Sequence, residues 1–327
     1  MTRRVLITGG TGFLGSHTVE KYLAAGWTVR ALVRNPAKLG WLEKLPIEVA
    51  YGTLTDPASL AEAVKDCDVV VHCAGLTKAV QASEYFRINA DATRQLTQLA
   101  AKSGVRRLVL CSSQAAAGPS SPGKPAREDD VPAPISDYGR SKLAGERAVI
   151  DAAGGMEWIV IRPPSIIGPR DEQFVPLFRG VVRYGIYPRF GTARRRYSFA
   201  GVHDVARALR VAGEAEQGAN TIYFVAHDEA LDWGEAAAII AGFAHRKVRP
   251  LLLPECVVRI VGSLADRYAS LSGKPQLLSG DKFREILAPE WRCSVEKIRS
   301  AWGFTCTWSR EQTLRETYES YRNSGLL

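Results

Sequence analysis

Histidine is scarce in this chain, five residues in 327, and the six cysteines (67, 73, 111, 256, 293 and 306) never form a CxxC pair. That pattern argues against a zinc site and against a disulfide-stapled secreted scaffold, so no metal is expected. No uninterrupted apolar stretch approaches the ~18 residues of a membrane span. The nearest, 251–271, is broken by Pro254, Glu255, Arg259 and Asp266, which leaves room for a surface-lying helix but not a spanning one. Met1-Thr-Arg-Arg is followed by only three apolar residues before Thr8-Gly9-Gly10, too short a run for the core of a secretion signal. A first β-strand is the reading there, and a cytoplasmic protein with or without peripheral membrane contact is expected.

Acidic residues are outnumbered, 34 against 43 Lys plus Arg, giving a net charge of +9. Such a balance suits nucleic acid, an anionic membrane surface or a phosphorylated small ligand. No nucleic-acid-binding module is recognisable, so nucleic acid is not expected as a partner. The excess is concentrated: 179–210 holds eight arginines and one acid, Asp204, a net +7 in 32 residues. That segment either is a solvated face or serves an anionic substrate, or an anionic surface carrying an apolar one. With 46% hydrophobic residues the chain can bury a large core without staples.

Short apolar runs at 5–8, 28–33, 47–50, 69–71, 107–111 and 158–161 alternate with helical patterns. These lie at 17–25, from Asp56-Pro57 onward, at 85–102 and around 141–152. Buried strands separated by helices predict an α/β fold, a doubly wound parallel sheet covered on both faces. After about residue 165 the rhythm breaks into Pro- and Gly-marked irregular structure. The expected division is a nucleotide-binding domain over 1–165 and a smaller, mixed substrate-binding lobe over 166–327. The lobe would pack intimately, with some chain returning to the sheet.

Thr8-Gly9-Gly10-Thr11-Gly12-Phe13-Leu14-Gly15 follows the first strand and opens a helix. Gly9 suits a tight turn, Gly12 a close approach to a pyrophosphate, and Gly15 close helix–strand packing. The helix N-terminus adds free N–H groups and partial positive charge. The second strand ends at Arg34 with no carboxylate for a ribose 2′-hydroxyl, and Lys38 follows one turn on. Arg34 can grip a 2′-phosphate, so NADP is favoured over NAD. Tyr138 and Lys142, four apart, share one helix face. A neighbouring cation is expected to pull the phenol from its unperturbed pKa of ~10 toward the working range. Ser112-Ser113 end the fifth strand at the edge where such sheets bind ligands.

These features, with His72-Cys-Ala-Gly75, Asn89 and Arg162-Pro163, resemble the extended short-chain dehydrogenase/reductases. Residues 29–35 resemble dihydroflavonol reductases, 111–119 resemble 3β-hydroxysteroid dehydrogenases, and 7–17 are equally similar to nucleotide-sugar 4-epimerases. The resemblance implies a Rossmann-like domain and a catalytic Ser113, Tyr138 and Lys142, with Lys142 also holding the nicotinamide ribose. It implies cofactor contacts from Phe13, Leu14, Cys73, Ala74, Gly75, Leu76 and Asn89, and from the 163–166 segment with Pro163 and Ile166. One departure is Thr53-Leu54, where the family has Asp-Leu or Asp-Ile to hold adenine. The pair is still expected at the cofactor, with the Thr53 hydroxyl accepting from the adenine amine, and Asp56 is read as a helix cap, not a substitute. His203 could offer a second base, but the family's segment there is chiefly a packed helix start. Three activities are consistent with this: an NADP(H)-dependent alcohol–ketone oxidoreductase on a small-molecule substrate, a nucleotide-sugar epimerase or dehydratase, and a non-catalytic NADP-binding regulator. A homodimer is compatible with all three. Arg194-Arg195-Arg196 could hold a sugar-nucleotide diphosphate, though the epimerase arginine sits two residues before the position of Tyr197, one off Arg196.

Overall fold

The computed structural model describes residues 3–274 and 279–327. Its first half runs β1 (Arg4–Thr8), α1 (Phe13–Ala24), β2 (Thr28–Val33), β3 (Glu48–Tyr51), α2 (Pro57–Val64) and β4 (Val69–His72). Then come α3 (Ala82–Phe86), a π turn (Arg87–Asp91), α4 (Ala92–Lys102), β5 (Arg107–Cys111), α5 (Asp137–Ala152) and β6 (Glu157–Arg162). The second half continues with β7 (Ser165–Ile167), α6 (Val175–Arg179), β8 (Ile186–Phe190), β9 (Arg196–Tyr197), β10 (Phe199–Gly201) and α7 (Val202–Glu214). It ends through β11 (Thr221–Phe224), α8 (Trp233–Phe243), β12 (Arg249–Leu253), α9 (Glu255–Ser272), α10 (Gly280–Leu287), β13 (Glu290–Trp291), α11 (Glu296–Trp302) and α12 (Arg310–Asn323).

Strand alternation builds the two layers. On one face Val5, Ile7, Val29, Ala31, Val69, Val71, Val109, Ile159 and Ile161 meet α1 and α7. On the other, Leu6, Leu32, Val70, Leu108, Leu110 and Val160 meet α2, α4 and α5. Because both faces are covered, the strands can be apolar at every position. The seven-stranded sheet has the order β11-β6-β5-β4-β1-β2-β3, and each of its pairings is parallel. The order reverses between β1 and β4, which opens a crevice above their carboxyl ends.

The Asp56 expectation holds: its carboxylate accepts the Ala58 N–H at 3.1 Å, with Pro57 at the first helical position. The pattern over 85–102 is not one smooth helix. It begins at Ala82 and is interrupted by the π turn containing Asn89. The inserted residue turns the Asn89 side chain out of the ladder toward the crevice loops, a use of π turns that recurs at functional sites. The segment 17–25 likewise starts earlier, at Phe13, directly after the glycine turn.

Candidate functional site

The glycine turn is fixed by close contacts. Gly9 has a φ of +74°, and a β-carbon there would fall 2.7 Å from the Ala74 nitrogen on the loop after β4. A β-carbon on Gly15 would lie 2.0 Å from the Gly9 carbonyl oxygen, so helix and turn can touch only through glycine. Around Gly12 only the Gly9 carbonyl is near, at 3.3 Å. Gly12 is the N-cap of α1, with no capping side chain and no acid in the first turn, so the N–H groups of Phe13 and Leu14 open toward the crevice. This cradle fits a pyrophosphate.

The other predicted cofactor residues line the same carboxyl edge. Arg34 directly follows β2, and Arg34 and Lys38 are exposed with no side-chain partner among the described residues. Thr53 and Leu54 follow β3, where the Thr53 hydroxyl lies 3.2 Å from that of Thr55. Asn89 is fully engaged: its carbonyl accepts the Leu76 N–H at 2.7 Å, and its amide donates to the Leu76 carbonyl at 3.0 Å and Ser141 Oγ at 2.9 Å. It therefore acts on the crevice by pinning the loop Cys73–Leu76. A β-carbon on Gly75 would approach both Asn89 Oδ1 and Lys142 Nζ. The Pro163 carbonyl accepts the Gln114 N–H at 2.8 Å, which ties the segment after β6 to that after β5, and Ile166 packs on the sheet core from β7.

Ser136 caps α5 by accepting the Gly139 N–H at 2.9 Å, and this places Tyr138 in the first turn with Lys142 one turn on. The two serines after β5 part company. Ser112 donates to Glu146 Oε1 at 2.5 Å, while Ser113 accepts the Ala115 N–H at 3.1 Å and turns its hydroxyl to the Tyr138 phenol. Burial pushes that phenol above its ordinary pKa and the Ser113 bond pulls it partly back. The expectation that Lys142 draws the phenol downward is not met in this state. The ammonium instead donates to the Cys111 carbonyl at 2.7 Å, and burial governs the phenol. Burial likewise lowers the pKa of Lys142 itself.

Two buried histidines steady the crevice floor. His72 bridges Thr8 Oγ1 at 2.6 Å and Thr93 Oγ1 at 3.0 Å, and burial lowers its pKa to about 3. His17 meets the Pro169 carbonyl at 3.1 Å, and burial lowers it to about 4. Both folded values lie below 6.5, so this stability is complete above pH 6.5 and is lost as pH falls toward 4. Each site contributes up to about 1.4 kcal/mol per pH unit in that window. We expect Tm to drop steeply between pH 6.5 and 4.5 and a His72→Asn variant to show a shallower slope; an unchanged slope would assign the acid sensitivity to other groups.

A model of the NAD dependent epimerase/dehydratase family matches residues 5–226. The chain belongs to that family. It is an NAD(P)-dependent enzyme of the dehydrogenase, reductase and epimerase type, an extended short-chain dehydrogenase/reductase. Its relatives include "Ceramide reductase" of Caulobacter vibrioides, 31% identical over 326 residues, covering 99% of this chain and 96% of that one. Human "Sterol-4-alpha-carboxylate 3-dehydrogenase, decarboxylating" is 29% identical over 252 residues, 73% of this chain and 66% of the relative. Among solved structures, gox2253 superposes with a TM-score of 0.81 at 22% identity over all of both chains. MoeE5 in complex with UDP-glucuronic acid and NAD gives 0.78 at 24%, over 98% of this chain and 99% of the other. At these identities the structures support the fold.

In this family member, several partners around the site were not identified from the sequence. Arg162 clasps Glu146 through two bonds of 2.9 and 2.6 Å, with both side chains 1% exposed, directly beneath Ser112 and one helical turn beyond Lys142. The spacing of Glu146 four residues after Lys142 places it on the same helix face, and that was the available clue. From α10, Asp281 accepts the N–H groups of Asp137 and Tyr138 at 2.8 and 3.2 Å, and Glu285 accepts from Ser136 Oγ at 2.6 Å. Two carboxylates thus sit on the positive end of the helix that carries Tyr138. They come from more than 140 residues away, which no local pattern reveals.

The arginine-rich segment reads differently once folded. Arg194 pairs with Asp232 and Glu235 at 3.0 and 2.9 Å, buried Arg195 bonds Glu255 and the Phe190 carbonyl, and Arg196 donates to the Ala230 carbonyl. Arg207 bonds Asp204, Arg210 bonds Glu214, and Arg179 grips the Leu326 carbonyl. Arg194 and Arg195 are thus paired by acids from later elements and Arg207 and Arg210 by acids within one helical turn, while Arg179 and Arg196 bond backbone carbonyls. In the first turn of α7, His203 stacks on Trp308 and meets Glu316 Oε1 at 3.0 Å, which is a packed helix start.

Proposed function

We propose that this protein interconverts a secondary alcohol and a ketone on an apolar small molecule, using NADP(H). The observation carrying this reading is the meeting of Ser113, Tyr138 and Lys142 above the switch point, beside the glycine cradle. When bound, the nicotinamide supplies or accepts the hydride. Tyr138 holds the proton at the substrate oxygen, donating it during reduction and receiving it during oxidation. A phenol is protonated at neutral pH at its ordinary pKa of ~10, and burial pushes that of Tyr138 further up, so Tyr138 rests in the form that can donate. Ser113, beside Tyr138, would orient that oxygen, and Lys142 lies one turn further along the helix, where it would hold the cofactor ribose. The apolar substrate class is supported by the full-length similarity to "Ceramide reductase". The epimerase alternative gains little from Arg194, because a diphosphate would have to displace two carboxylates from it.

Oxidation of NADPH at 340 nm should be elicited by long-chain or polycyclic ketones and not by UDP-sugars. Non-exchanging NAD together with stabilisation by a UDP-sugar would favour the epimerase. The cofactor choice rests on Arg34. Charge-assisted bonds of this kind contribute about 1.5–3 kcal/mol, so Arg34→Asp should weaken NADPH binding roughly 10- to 100-fold and leave NADH binding equal or improved. Titration of protein fluorescence with each cofactor decides it, and wild-type protein that holds NADH as tightly as NADPH would sink the assignment.

A further inference from the structure

The exposed face of α9 has no partner within the described residues. The helix turns Val258, Gly262 and Ala269 inward. On its outer side lie Val257, Ile260, Val261, Leu264, Tyr268 and Leu271, with Leu264 61% and Leu271 85% exposed. Spacings of three and four keep these six on one stripe along the whole helix. Exposed Leu251 and Leu252 on β12 precede it. A surface helix ordinarily turns charge outward, and an exposed apolar stripe of this length marks an interaction surface. We propose that β12 and α9 dock the protein on an anionic lipid bilayer.

Charge selects the bilayer as the occupant. Both acids of α9 are turned toward the protein: Glu255 bonds Arg195, and Asp266 accepts the Gly280 N–H at 2.9 Å. Of its two arginines, Arg259 has only a 3.9 Å contact with Glu255, and Arg267 makes no ion pair among the described residues. Arg183, Arg246, Lys247 and Arg249 are also exposed without an ion pair among the described residues. They gather where the Arg249 N–H donates to the Gly185 carbonyl at 3.0 Å, beside exposed Tyr184. A second copy joined across a two-fold axis would oppose these cations with themselves. Anionic headgroups meet them with opposite charge, while the stripe and Tyr184 enter the apolar boundary.

The inner side of α9 gives the docking a purpose. Asp266, Ala269 and Ser270 line a cleft of about 170 Å³ together with Tyr85 and Asp137. The Tyr85 ring is 6.0 Å from that of Tyr138. The same helix therefore carries the lipid-facing stripe on one side and, on the other, a polar cleft next to Tyr85, the ring neighbour of Tyr138. Docking would hold this side of the site at the membrane surface. This last step rests on the alcohol–ketone reading; the docking itself does not.

The test is flotation of the full chain with phosphatidylcholine vesicles, with and without phosphatidylglycerol, alongside NADPH binding and sedimentation velocity. Wild-type protein should float with the anionic vesicles and at least tenfold less with the neutral ones or in high salt. Ile260→Glu with Leu264→Glu should abolish flotation and retain wild-type NADPH affinity. If that pair fails to hold NADPH, Leu252→Glu with Leu271→Glu should give the same loss on a folded protein. No wild-type flotation, undiminished flotation in a folded variant, or a dimer dissolved by these substitutions without vesicle binding would each overturn the proposal. Flotation by a protein that binds no NADPH would leave docking intact and count against the alcohol–ketone reading.

Discussion

Tyr138→Phe is expected to lower kcat by roughly 10²- to 10⁴-fold, the range typical of a lost general acid. The substitution removes one oxygen from a side chain that makes ring contact with Tyr85 at 6.0 Å, so packing and cofactor affinity should survive. The effect should be largest for ketone reduction at neutral pH. There the phenol is protonated, and its proton is what the product oxygen requires. Single-turnover measurement of NADPH oxidation separates this from substrate binding. Full turnover in the variant would remove Tyr138 from the proposed mechanism, and an equal loss in Kd for NADPH would recast it as a binding residue.

The second large effect concerns stability. Removing the carboxylate by Glu146→Ala should cost roughly 3–5 kcal/mol, because it strands the Arg162 guanidinium in a buried site together with the Ser112 hydroxyl. Arg162 Nη1 already lacks a hydrogen-bond partner among the described residues, so the loss would add to an existing deficit. Replacing both partners by apolar residues, Glu146→Leu with Arg162→Met, should recover most of the loss. Chemical denaturation of the three proteins checks both statements. A double variant as unstable as the single one would mean that packing, not uncompensated charge, sets the cost.

The sequence was most legible where one residue's local conformation settles the matter. Val69-Val-Val71 could only be a buried strand, Gly9 needed its left-handed turn, and Asp56-Pro57 announced a helix start. The helix carrying Asn89 was found but not its π turn, because the bulge is imposed by the bonds from Asn89 to Leu76 and Ser141 across the crevice. Long-range pairing was the harder part. Arg194, Arg195 and Arg196 looked like a free basic run until Asp232, Glu235 and Glu255 reached the first two and the Ala230 carbonyl the third, all from later in the chain. Asp281 reaching the Tyr138 N–H belongs to the same class: the partner is set by the fold, and the pattern around either residue is silent.

The position of β11 bears on how the molecule comes into being. It covers the outer side of β6 with Thr221 opposite Ile159 and Phe224 opposite Arg162, a pairing across 62 residues of chain. During synthesis β6 is therefore complete while its neighbour is still unmade. For that interval its outer backbone groups form an open sheet edge above a run of Ile159, Val160 and Ile161. The strand that ends the sheet in space is also the last of it to be translated, so the sheet is sealed late, from the side away from the glycine turn.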